Sequence, residues 1–172
     1  MVSIGPNSQS SNFSHMFDIR DIRLFPPNKE QYFPNSIMEN LRTNLNFTKF
    51  LYIVRLAKLE KLLNSPEREF TLFVPSDKDI SDINEDLFIN MDYPTAQHIV
   101  RSSMLENRIT SDILEDNPAC YFTTKDPINK LFVTNVDGKT YINKKIQVID
   151  KDIILSNGII HVVDKLLMPV II

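Results

Sequence analysis

The three histidines of this chain, His15, His98 and His161, stand far apart. No pair has the His-x-x-x-His spacing that sets two imidazoles on one helical face for a metal. Cys120 is the only cysteine, which excludes a Cys-x-x-Cys metal or redox motif and an internal disulfide. Neither Cys120 nor any serine lies in the strand–turn–helix pattern that exposes a nucleophile. Three glycines, Gly5, Gly138 and Gly158, are too few and too scattered for a phosphate-cradling loop. The richest set of ligating oxygens is Asp77, Asp79, Asp82, Glu85, Asp86 and Asp92. Asp77-x-Asp79-x-Ser81 opens like a calcium loop, but Asp82 stands where glycine is needed and Phe88 where the closing glutamate is needed. The run reads as a solvated face with acids near a helix start, where the helix dipole favours them. The residue types therefore imply no catalytic group, no cofactor and no metal, and point away from an enzyme.

Two further patterns concern the surface. Asn12-Phe-Ser14 and Asn46-Phe-Thr48 are glycosylation sequons, which matter if the chain is secreted. The formal charge of −3 argues against a nucleic-acid partner, whose surface calls for a strongly basic balance. The most apolar long run, Phe47–Leu63, is interrupted by Lys49, Arg55, Lys58, Glu60 and Lys61, so no transmembrane segment is expected. Met1–Phe17 has neither a basic n-region nor a continuous apolar run, so no secretory signal is expected within it. The single cysteine leans towards a reducing compartment.

The elements that must position any site follow from periodicity. At 172 residues the chain is long enough for one self-sufficient core with an extension. Residues 1–35 are rich in Ser, Asn and Pro, with scattered apolar anchors at Phe13, Phe17, Phe25, Tyr32 and Phe33. They read as an irregular arm, which either docks into a partner through those anchors or wraps its own domain. Residues 36–172 form the domain. Ser36 with Glu39 is a capping-box signature, followed by Ile37, Leu41 and Leu45 at helical spacing. A second helical stretch carries Phe47, Phe50, Leu51 and Val54, and a third gathers Leu59, Leu62 and Leu63 before Asn64-Ser-Pro66. Phe70–Pro75 is a strand, after which Ser76 and Asp77 can accept backbone N–H bonds and cap the next element. Pro94 starts a helix with Ile99, Val100 and Met104 inside. Beyond Ala119 strands predominate. Asp137-Gly138 and Asn157-Gly158 are tight-turn dipeptides between strand pairs, with Lys145–Ile149 as a further strand. Helices first and hairpins afterwards predict an α+β fold with an antiparallel sheet.

Two segments carry a family resemblance. Asn157-Gly-Ile-Ile-His161-Val-Val-Asp164-Lys-Leu-Leu-Met-Pro169 resembles the second signature box of fasciclin-like domains, and Phe70-Thr-Leu-Phe-Val-Pro75-Ser-Asp77-Lys-Asp-Ile80 resembles the first. The resemblance covers about residues 36–170. It implies N-terminal helices packed on an antiparallel β-sandwich or wedge, and a non-enzymatic adhesion or matrix-style module that binds a protein partner at the cell surface. The bottom-up reading of the second box agrees: Ile159, His161 and Val163 face one side and Ile160 and Val162 the other, so the strand is covered on both faces. His161 is then a core residue with bonded ring nitrogens. Ser102 and Ser103 stand where many family members carry a Tyr-His pair, so the adhesive property tied to that pair is not implied here. Asp150-Lys-Asp152-Ile153-Ile154 resembles a motif associated with integrin binding in some animal members, which marks Asp152 and Ile153 as partner-binding candidates. The structural alternative is a turn acid followed by a core side chain. A second functional reading is an accessory subunit of a large intracellular or organellar assembly, such as a mitochondrial one, docked through the arm.

Overall fold

The computed structural model describes residues 32–126 and 129–168. The first helix, α1 (Ile37–Thr43), starts where Ser36 Oγ accepts the Glu39 amide at 3.1 Å. The Glu39 carboxylate reaches back to the Asn35 amide at 2.7 Å, one residue before the usual capping-box target. Asn44 ends the helix in extended conformation, so Leu45 falls beyond it and is exposed instead of continuing the inner stripe. The next helix, α2 (Thr48–Leu56), begins at Phe47, whose side chain can accept nothing. Its free amides at Thr48 and Lys49 are instead capped by the Asp77 carboxylate at 3.2 and 3.0 Å. Helix α3 (Glu60–Leu63) completes this layer.

Strand β1 (Phe70–Pro75) follows, then a single 3-10 turn at Asp77–Ile80, α4 (Glu85–Ile89) and α5 (Tyr93–Ser102). Asp92 caps α5 through the Thr95 amide, with Pro94 in the first turn, where its missing N–H costs nothing. Met104, expected on the inner face of that helix, opens strand β2 (Met104–Glu106). After α6 (Ser111–Leu114) come β3 (Ala119–Thr123), β4 (Lys130–Val136), β5 (Lys139–Ile142), β6 (Ile146–Leu155) and β7 (Gly158–Val163).

The seven strands lie in the order β2-β1-β7-β6-β5-β4-β3. All neighbours are antiparallel except β1 and β7, which run parallel from Phe70↔Gly158 to Pro75↔Val163. The expected antiparallel arrangement thus holds at every pairing but this one. The long chain between these two strands supplies the crossover a parallel pair requires, which no hairpin could. A bridge between Leu105 and Thr124 joins the two outer strands, so the sheet folds towards itself as a wedge. Helices α1 to α5 cover one face, over Leu72, Val74, Ile160 and Val162. Phe73, Val133, Ile142, Val148 and Val163 fill the wedge interior on the other. Strands β1 and β7 are therefore buried on both faces, and every residue of each is buried.

The two tight turns differ. Asp137 and Gly138 both have positive φ, 51° and 78°, the type I′ geometry suited to a twisted hairpin. In the second hairpin Leu155 pairs with Gly158, so the turn residues are Ser156 and Asn157, and neither has positive φ. Gly158 is needed there for close approach. A Cβ on it would stand 2.1 Å from the Phe70 carbonyl oxygen and 2.8 Å from Ile37 Cδ1. Among the described residues no helix is long and apolar enough to cross a membrane.

Candidate functional site

The Asp150-Lys151-Asp152 triplet interrupts an apolar strand, and β6 yields there. Its register with β7 steps from Val148↔Val163 to Asp150↔Val162 and then to Ile153↔Ile160, leaving extra residues on β6 at each step. Such bulges re-aim the side chains beside them. Asp152 sits at φ 60°, a left-handed conformation that a short polar side chain tolerates.

This conformation turns the Asp152 amide towards His161, whose Nδ1 accepts it at 3.1 Å. His161 Nε2 donates to the Ile109 carbonyl at 2.7 Å. These partners assign the neutral tautomer with its proton on Nε2. Burial pushes the imidazole pKa below its ordinary value, against the opposing pull of the Ile109 carbonyl and the Asp152 carboxylate. The ring is fully buried against Phe73 and has no nitrogen left for proton transfer, so it is scaffold. The Asp152 carboxylate accepts the Ser111 amide at 2.9 Å and also the Ser111 hydroxyl, fixing the start of α6. Burial alone would raise this carboxyl, but the two Ser111 bonds and then His161 and Lys151 hold it below its usual range.

Beside this node the chain mixes the charged residues Asp150, Lys151 and Glu115 with isoleucines. Ile153 is half-buried against the helical core. Ile113, Ile149 and Ile154, each within three residues of the Asp152–Ser111 contact, are 45%, 43% and 57% exposed. An ion pair between Lys151 and Glu115 crosses the same junction of β6 and α6. The sequence named Asp152 and Ile153 as candidates and did not single out Ser111 or the three exposed isoleucines. The charged triplet inside an apolar strand was a signal for the bulge in β6.

The other candidates lie elsewhere. Tyr32 packs in the domain's own core, its hydroxyl donating to Glu60 at 2.8 Å and its ring facing Arg42. Burial comes first in raising its pKa. Tyr32 is thus engaged within the chain, and Phe33 beside it is partly exposed. Phe13, Phe17, Phe25 and Asn12 lie outside the described residues. Asn46 is exposed, but the hydroxyl of its sequon partner Thr48 is bound by Asp77. Asp77 was expected to cap the element after β1, and its carboxylate caps α2 upstream instead. Ser102 and Ser103 are both buried, so those positions present no surface group.

Comparison with known proteins agrees with this fold. The fasciclin domain family model matches residues 45–169. Human periostin is 29% identical over 137 residues, which make up 78% of this chain and 16% of periostin. The solved FAS1 domain pair from the insect cell adhesion molecule fasciclin I superposes with a TM-score of 0.67 at 22% identity, covering 78% of this chain and 51% of that one. The chain thus spans a small part of periostin and about half of the insect pair. The chain belongs to the fasciclin domain family.

Proposed function

We propose that this domain is a non-enzymatic protein-binding module of the adhesion type, holding its partner through the corner built on Asp152 and Ile153. The observation that carries this reading is the exposure of Ile113, Ile149 and Ile154 on the two segments, α6 and β6, that the Asp152–Ser111 bonds and the Asp152–His161 bond tie together. Exposed apolar side chains on a preorganised frame are what a protein interface uses, because little ordering entropy remains to be lost on binding. The adhesion role of fasciclin I, a structural relative, favours the same class.

The test is cell attachment to surfaces coated with the domain. Ile149→Asp combined with Ile154→Asp should abolish attachment while leaving the melting temperature within a few degrees of wild type, because both side chains are exposed. Undiminished attachment by the double variant would remove this corner from consideration. Asp152→Ala is a poorer probe, since it also frees the Ser111 amide and so mixes stability with binding.

A further inference from the structure

A cavity of about 490 Å3 opens where the start of β6 meets the chain leaving β7. Its size falls within the roughly 300–1,000 Å3 typical of small-molecule sites. Ile146, Leu166 and Leu167, all buried, supply apolar lining. Lys130, Lys145 and Lys165 come to the same opening from three separate segments, and among the described residues no carboxylate lines it. That is a local reversal in a chain with 22 acids against 19 bases. Lys165 lies 3.5 Å from Asp164 and donates to the Lys145 carbonyl at 3.3 Å. Lys130 and Lys145 make no ion pair with any described residue. The neutral polar groups of the wall serve one another or the backbone: Asn129 donates to Ser102, and Asn143 accepts the Phe132 amide. Among the described residues, the positive charge of Lys130 and Lys145 is left unmatched beside an apolar lining.

We propose that this cavity binds a small anionic amphiphile, a molecule with one anionic head on a short aliphatic chain. The chain fills the space along Ile146, Leu166 and Leu167, where its methylenes leave water for an apolar wall. The head lies among the lysine ammoniums, which act as point charges and select for charge more than for the shape of a planar group. The site shares no residue with the Asp152 corner, so its failure and the failure of the adhesion reading are separate events.

Calorimetric titration of the full chain with decanoate, kept below its micelle concentration, tests this. Saturable one-to-one binding is expected, and Lys130→Glu with Lys145→Glu should weaken it about tenfold or more. Lys139→Glu, an exposed change on the β4–β5 hairpin that does not line the cavity, should leave affinity unchanged. Amide shifts in the NMR spectrum should concentrate at residues 130, 145–146 and 165–168. Inorganic phosphate, which has only the head, and decanol, which has only the chain, should each bind more weakly than decanoate. Absence of saturable binding, equal affinity in the charge-reversed variant, or phosphate binding as tight as decanoate would overturn the proposal. So would association confined to anionic vesicles, which would indicate a membrane surface and not a cavity.

Discussion

Asn157→Ala would cut the joint between the helical layer and the sheet. The Asn157 side chain is buried and spans three elements. Its Oδ1 accepts the Ile37 amide at 2.8 Å, at the first residue of α1. Its Nδ2 donates to the carbonyl of Leu63, at the end of α3, at 2.9 Å and to that of Ser65 at 3.1 Å. Alanine would leave the Ile37 amide and the Leu63 carbonyl unpaired inside fully buried residues, while Ser65 can be reached by water. An orphaned buried group costs about 1–3 kcal/mol, so two give roughly 2–6 kcal/mol. For a chain of this size each kcal/mol moves the melting temperature by about 2–4 °C. Urea denaturation should therefore show a much lower midpoint with an unchanged slope, since the surface exposed on unfolding is the same. Asn157→Asp keeps the acceptor for Ile37 but loses both donors and sets a charge against two carbonyl oxygens, so it should cost at least as much. A loss below about 1 kcal/mol for Asn157→Ala would refute the assignment of this side chain as the joint.

Gly158→Ala should be worse tolerated than Gly138→Ala, because the first meets the Phe70 carbonyl and the second open space. Gly138→Ala should cost about 1–2 kcal/mol for its left-handed backbone, measured by the same denaturation. Asp77→Ala should lower stability by about 0.5–2 kcal/mol through loss of the α2 cap, and amide exchange at Thr48 and Lys49 should quicken. His161 gives a pH signature. Its folded pKa lies below that of the unfolded chain, so below about pH 6.5 the unfolded state binds the extra proton and stability falls as pH falls. The loss approaches about 1.4 kcal/mol per pH unit until the folded ring also protonates, and His161→Gln should flatten the melting-temperature profile between pH 7 and pH 5. An unchanged profile would mean that another group governs acid stability.

The two-sided strand was legible at Gly158–Val163 because four apolar residues and a histidine after the glycine leave no polar face for solvent. The parallel pairing of β1 with β7 was not, since strand direction depends on a crossover that local patterns do not encode. Asn157 and Gly158 were read as a turn pair from their types, yet one is a buried connector and the other a contact point, roles set by Ile37, Leu63 and Phe70 far away in sequence. Arg108 shows the same gap. It pairs with Glu69 and donates to the carbonyls of Ser156 and Gly158, clamping the hairpin without any spacing that would announce it. At the candidate site Asp152 and Ile153 were named through their motif. Ser111 and Ile113 join them only because the Asp152 carboxylate reaches α6 across the fold.

The central claim, that a protein partner is held at the Asp152 corner, is tested most directly by site-specific photo-crosslinking. A photoreactive residue is placed at Ile154, and in a second preparation at Tyr121, which is more exposed but lies on edge strand β3. Both preparations are offered to the cells that attach to the domain. A covalent adduct with one protein from position 154, absent from position 121 and suppressed by excess unlabelled domain, is the predicted result. An adduct from position 121 alone, or equal adducts from both, would contradict it.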